Sequence, residues 1–113
     1  MNKEFQKYSD ITPEMNQEWE AKYGKTRLID LEVQISDTET FNFVLRKPDR
    51  PVLEAIGRHA ANKDVAAANK TLINNCVLGG DMEALNKDGE VYLEVLEQLN
   101  LLKHKAKSTV KKR

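Results

Sequence analysis

The chain has 113 residues, 40% hydrophobic and 32% charged, with 18 basic and 18 acidic side chains. That length supports one domain with a modest core rather than two, and the composition is too apolar and too balanced in charge for a disordered chain. The single cysteine, Cys76, excludes an internal disulfide, and no uninterrupted apolar run approaches the ~20 residues of a membrane helix.

Residues 1–7 carry no apolar run behind their charges, so no signal peptide is expected and the expected compartment is the cytoplasm. Thr12-Pro13-Glu14 opens the first element: Thr12 suits a helix cap, Pro13 the first helical position, and Glu14 and Glu18 the positive end of the dipole. Gly24 offers a left-handed stop. Met15, Trp19 and Tyr23 recur every fourth residue and line one stripe, fit to pack on the body or to dock on a partner.

The period then changes. Ile29, Leu31, Val33 and Ile35 alternate with mainly polar neighbours, which predicts a half-buried strand. Residues 36–39 are turn material, and Phe41, Phe43 and Leu45 alternate in a second strand. Two such runs joined by a short polar link form an antiparallel hairpin, whose apolar face must be covered by the rest of the chain. Both outer edges of an isolated hairpin are open to pairing, which would allow a homo-oligomer through those edges.

Helical patterns come next. Asp49 can cap a helix beginning Arg50-Pro51, with Val52, Leu53, Ile56 and Ala60 on one face. Asp64 caps a second, with Val65, Ala68, Leu72, Ile73, Cys76 and Val77 at helical spacing, and Gly79-Gly80 is read as its stop. A loop through Met82 and Leu85 leads to Asp88-Gly89 and a last helix carrying Val91, Tyr92, Val95, Leu96, Leu99 and Leu102. Strands first and helices afterwards predict an α+β fold: a short N-terminal helix and an antiparallel hairpin packed under about three helices. The expected organisation is an N-terminal segment 1–27, an α+β core 28–102 and a basic flexible tail 103–113. That tail holds Lys103, Lys105, Lys107, Lys111, Lys112 and Arg113 and no acidic residue, which leaves the body acidic and argues against a nucleic-acid-binding role.

The residue types needed for chemistry are sparse. His59 has no acidic neighbour one turn away, and His104 sits in the basic tail. Neither a cysteine pair nor a paired-histidine spacing marks a metal site. A nucleophile would have to come from Ser9, Ser36, Ser108 or Cys76, none of which lies in a strained turn. Gly79-Gly80-Asp81 looks like the Gly-Gly-Asp core of cyclic-dinucleotide synthases, but here it follows a helix rather than forming a hairpin turn. Asp81, Glu83, Asp88 and Glu90 lack the spacing of a calcium loop. No enzyme activity, cofactor or metal is expected.

The hairpin strand Phe41-Asn42-Phe43-Val44-Leu45-Arg46, its Lys47-Pro48-Asp49-Arg50 exit, the helix ending Leu72-Ile73-Asn74-Asn75-Cys76-Val77 and the Gly-Asp step at Gly80-Asp81 carry a resemblance. Over residues 28–102 the chain is similar to the small tail assembly chaperones of long-tailed bacteriophages and prophages. The resemblance implies a protein that keeps the tape-measure protein soluble and recruits tail tube subunits. It also implies a longer form made by ribosomal slippage, with which Val110-Lys111-Lys112-Arg113 is compatible. A chaperone of that kind needs apolar surface ringed by polar groups. The candidate partner-binding residues are therefore Met15, Trp19, Tyr23, Met82, Leu85 and Tyr92, with Arg46, Lys47 and Arg50 for acidic segments. The competing readings are a structural component of a phage tail or related tube, and a small nucleic-acid-binding regulator acting through the basic tail.

Overall fold

The computed structural model describes residues 6–103 and 106–113; the expectations for Lys105 and His104 lie outside them. The chain runs α1 (Pro13–Tyr23), β1 (Leu28–Gln34), β2 (Thr40–Arg46), α2 (Arg50–Ala61), α3 (Val65–Cys76), β3 (Val77–Gly80), α4 (Met82–Lys87) and α5 (Gly89–Leu102). Helices and a three-stranded antiparallel sheet of order β1-β2-β3 make an α+β fold. To the expected hairpin the structure adds β3, and to the three helices behind it the short α4.

Local chemistry starts each long helix. Thr12 Oγ1 accepts the Met15 amide at 3.2 Å, Asp49 Oδ1 that of Val52 at 3.1 Å, and Asp64 Oδ1 that of Ala67 at 3.0 Å. Asp88 Oδ1 accepts from both Glu90 and Val91. Each such cap stabilises its helix by about 1 kcal/mol. Gly24, at φ +92°, ends α1. The β1–β2 turn is closed by Ser36 Oγ, which accepts the amides of Thr38 and Glu39.

The alternating pattern of the strands is realised in register: Ile29 lies opposite Leu45, Leu31 opposite Phe43, and Val33 opposite Phe41. That face meets α2, α3, α4 and α5 in one core, in which Phe43, Leu45, Leu72, Cys76, Val91, Val95 and Leu99 are fully or almost fully buried. Each of the larger of these contributes about 1.5–3 kcal/mol by leaving water.

Two sequence expectations are corrected around residue 80. The third helix stops at Cys76, and Val77 begins a strand; Gly79 and Gly80 do not end a helix but pair with Val44 and Phe43 of β2. Leu78 is the extra residue of a bulge, because Val77 faces Leu45 while Gly79 faces Val44. The stretch through Met82 and Leu85 is not a loop but α4, with both side chains buried.

The glycines are required by space. A Cβ on Gly79 would lie 2.7 Å from Gln6 Oε1 and 3.1 Å from Trp19 Cη2. One on Gly80 would lie 2.7 Å from the backbone Cα of Phe43, at a φ of +141° that side chains avoid. Beyond them Asp81 accepts the Asn42 amide on Oδ2 at 2.8 Å and the Tyr8 amide on Oδ1 at 2.9 Å. The segment before α1 is thereby tied along β3: Gly80 N donates to Gln6 Oε1 and Met82 N to the Gln6 carbonyl.

Gly79→Ala should cost about 1–3 kcal/mol, since the Gln6 side chain it meets can yield. Gly80→Ala should cost more, because its obstacle is backbone and its φ is left-handed. Urea unfolding of both variants checks the order; equal losses would contradict it.

Candidate protein-binding surface

The sheet has a second face, and the sequence gives no plain signal of its cover. Val44 is 3% exposed although it points away from the main core. Gly79 lies beside it, and Ile11 and Trp19 approach Gly79 from the N-terminal segment. Trp19 is half-buried there, and Met15 is half-buried one turn before it on α1. The stripe expected on α1 is therefore turned, at Trp19, onto the chain's own sheet.

At the end of that stripe Tyr23 meets Arg46. The guanidinium carbon stands 4.6 Å from the ring centroid, in cation–π range. Arg46 is 7% exposed, which corrects the expectation of a solvent-facing charge at the strand end. Its Nε donates to the Asn75 carbonyl at 2.7 Å, and Nη1 pairs with Asp49 Oδ2 at 3.1 Å. One side chain thus joins α1, β2, the last turn of α3 and the cap of α2. The Asn75 bond is the strongest of these contacts, at about 1.5–3 kcal/mol for a charged donor. With Asp49 53% exposed, the ion pair is worth under ~1 kcal/mol.

Around this hub Lys22, Tyr23, Arg27, Arg46, Lys47, Pro48, Asp49 and Arg50 line an open pocket of about 400 Å³. Four of the sequence-expected residues, Tyr23, Arg46, Lys47 and Arg50, are brought together in it. Lys22 and Arg27 join them because Gly24 and a single 3₁₀ turn, Lys25–Arg27, return the chain beside β2. The Lys47 amide donates to the Arg27 carbonyl at 2.9 Å. Arg50 pairs with Glu54 at 2.8 Å. Among the described residues Lys22, Arg27 and Lys47 have no carboxylate partner, so the pocket carries uncompensated positive charge. Leu53, 39% exposed, follows Arg50 by nearly one turn of α2.

The other expected residues lie elsewhere. Met82 and Leu85, at 7% and 3% exposure, belong to the core and offer no surface to a partner, a correction that follows from their place on the inner side of α4. Tyr92 is half-buried against the same core. A groove of about 540 Å³ lies over Asp81 and is lined by Gln6, Phe41, Glu83, Lys87 and Asp88 among others. Its polar groups already serve the fold: Asp81 holds two amides, Glu83 pairs with Lys87 at 3.0 Å, and Asp88 caps α5. Cys76 is fully buried, and that burial pushes its thiol up to about 11. The thiol therefore stays protonated at neutral pH and is no nucleophile there.

Comparison with family models, with curated proteins and with solved structures finds no match for this chain.

Arg46→Met should lower stability by about 1.5–3 kcal/mol, chiefly because it leaves the Asn75 carbonyl without its charged donor. Arg46→Lys should recover only part, as read by urea midpoints. The Val52 amide, and with it the Arg46 guanidinium, holds the Asp49 carboxyl below its ordinary 3.8 against the opposing effect of burial. A depressed folded value stabilises above 3.8 and is lost as pH falls through 3.8 toward the lower folded value. Asp49→Asn should flatten that acid limb, measured as unfolding midpoint against pH.

Proposed function

We propose that this protein works by binding other proteins, without catalysis, as an assembly factor of the phage or prophage tail-chaperone kind. In that role it would act in the host cytoplasm, holding a tape-measure protein until tail tube subunits cover it. The observation that carries the reading is the basic pocket between α1, the end of β2 and the start of α2. Lys22, Arg27 and Lys47 stand around it without acidic partners among the described residues, Tyr23 forms a wall, and Leu53 is exposed close by. Such a surface suits an amphipathic helix with acidic residues flanking an apolar stripe, which is how long helical partners are held in grooves. Flexible cations on a preformed pocket also speed encounter with an acidic partner. The resemblance over residues 28–102 supplies the partner class. Among the described residues no helix is long and apolar enough to cross a membrane.

The test is retention of a tape-measure protein, taken from the same genome as this chain. Wild type should retain it. The Arg27→Glu/Lys47→Glu variant should bind at least about tenfold more weakly, or about 1.4 kcal/mol. The two residues hold each other through backbone atoms, so the fold should be kept. No retention by wild type would overturn the reading; equal retention by both would overturn the pocket.

A further inference from the structure

The two edges of the sheet are treated differently. Along β3 the Gly80 and Met82 amides are taken by Gln6. β1 ends the sheet on the other side. The Lys47 amide bonds the Arg27 carbonyl, and the Ile35 amide bonds the Glu39 carbonyl. Both pairs fit one antiparallel register, so the odd-numbered residues of β1 bond inward to β2. Asp30, Glu32 and Gln34 therefore direct their amides and carbonyls outward, and among the described residues nothing bonds them. Such an edge is a template for another strand.

Its chemistry selects the strand. Asp30 and Glu32 are on the open edge, and at the far end of β1 a groove of about 440 Å³ is lined by Glu32, Gln34, Ile35, Glu90, Leu93 and Glu94. Leu93 is 63% exposed beside it. Two copies of β1 paired antiparallel would set these carboxylates against each other, which disfavours direct edge-to-edge pairing. A basic strand with one apolar side chain fits instead.

The chain carries one. Residues 106–113, Ala-Lys-Ser-Thr-Val-Lys-Lys-Arg, have no regular structure, are exposed throughout and bear four basic side chains. Val110 is 98% exposed. In an extended conformation Lys107, Thr109 and Lys111 share one side and Ser108 and Val110 the other. From Lys107 to Lys111 such a strand spans about 13 Å, the same as Asp30 to Gln34. One lysine of the pair Lys107 and Lys111 would then lie opposite Asp30 and the other opposite Gln34, both diagonal to Glu32, with Thr109 across from Glu32 and Val110 on the core side toward Leu93.

We propose that residues 106–113 of a second copy add as a fourth strand to the β1 edge. The chain's own segment stands in solvent, so the strand comes from a neighbour, and reciprocal exchange closes a two-fold dimer. The proposal is independent of the basic pocket and of the function read from it.

Light scattering of the full chain up to the millimolar range, with amide exchange at Asp30, Glu32 and Gln34, tests it. Wild type should dimerise, more weakly with added salt, and those amides should gain protection with concentration. Asp30→Lys/Glu32→Lys and Lys107→Glu/Lys111→Glu should each weaken the dimer at least about tenfold. The two pairs combined should restore it, which a folding defect would not do. A monomer at all concentrations overturns the proposal. A monomer whose edge amides are protected by its own segment overturns the second copy as occupant. A dimer indifferent to both charge reversals overturns this edge as the interface.

Discussion

The Asp81 carboxylate joins three segments that are far apart in the chain. It takes the amide of Asn42, 39 residues away, and that of Tyr8, 73 residues away, while its own amide returns a bond to the Asn42 carbonyl. At this point the chain leaves β3, the ladder of β2 ends and the N-terminal segment enters the sheet. The part-buried bond from Asn42 is worth about 1.5–3 kcal/mol, and the exposed one from Tyr8 less. The approach is close enough that backbone of β2 leaves room only for glycine at position 80, and a side chain at position 79 would displace Gln6. β2 becomes the central strand because β3 pairs with it here, and much of the remaining architecture depends on that.

A central strand is covered on both faces, and this explains Arg46. Its position on the strand belongs to the side opposite the main core, where a hairpin would meet water. With Trp19, Ile11 and Tyr23 on that side, the guanidinium is enclosed instead. Its burial is compensated by an acceptor at Asn75, a carboxylate at Asp49 and an aromatic face at Tyr23. Burying it without those partners would cost several kcal/mol. The side chain most plainly read as a surface charge thus acts as a tie between layers, while the cations around it remain exposed.

The surface charge is divided along β1. Arg27 precedes the strand beside Lys47, and Glu32 and Gln34 lie near its other end with Glu90 and Glu94 of α5. The two pockets therefore offer fields of opposite sign to any partner, and a bound chain of uniform charge would be oriented by them. Neither pocket consists of core residues alone, so substitutions at their rims can be separated from folding.

Much of the fold was legible because its signals are local. Alternation of Ile29, Leu31 and Val33, and of Phe41, Phe43 and Leu45, marked two strands and the face they bury. The caps Thr12, Asp49 and Asp64 were readable because an N-cap side chain bonds an amide three residues on. Of the candidate surface, Tyr23, Lys47 and Arg50 were readable as types, and their gathering was not. β3 has four residues, two of them glycine, and follows a helical pattern without a break, so only its pairing with β2 makes it a strand. α4 is too short to show a period, which is why Met82 and Leu85 read as exposed. Elements whose periodicity and caps lie within one segment were thus set by the order of residues alone. The central place of β2, the burial of Arg46 and the assembly of the basic pocket arise only on folding, because each depends on contacts between segments far apart in the chain.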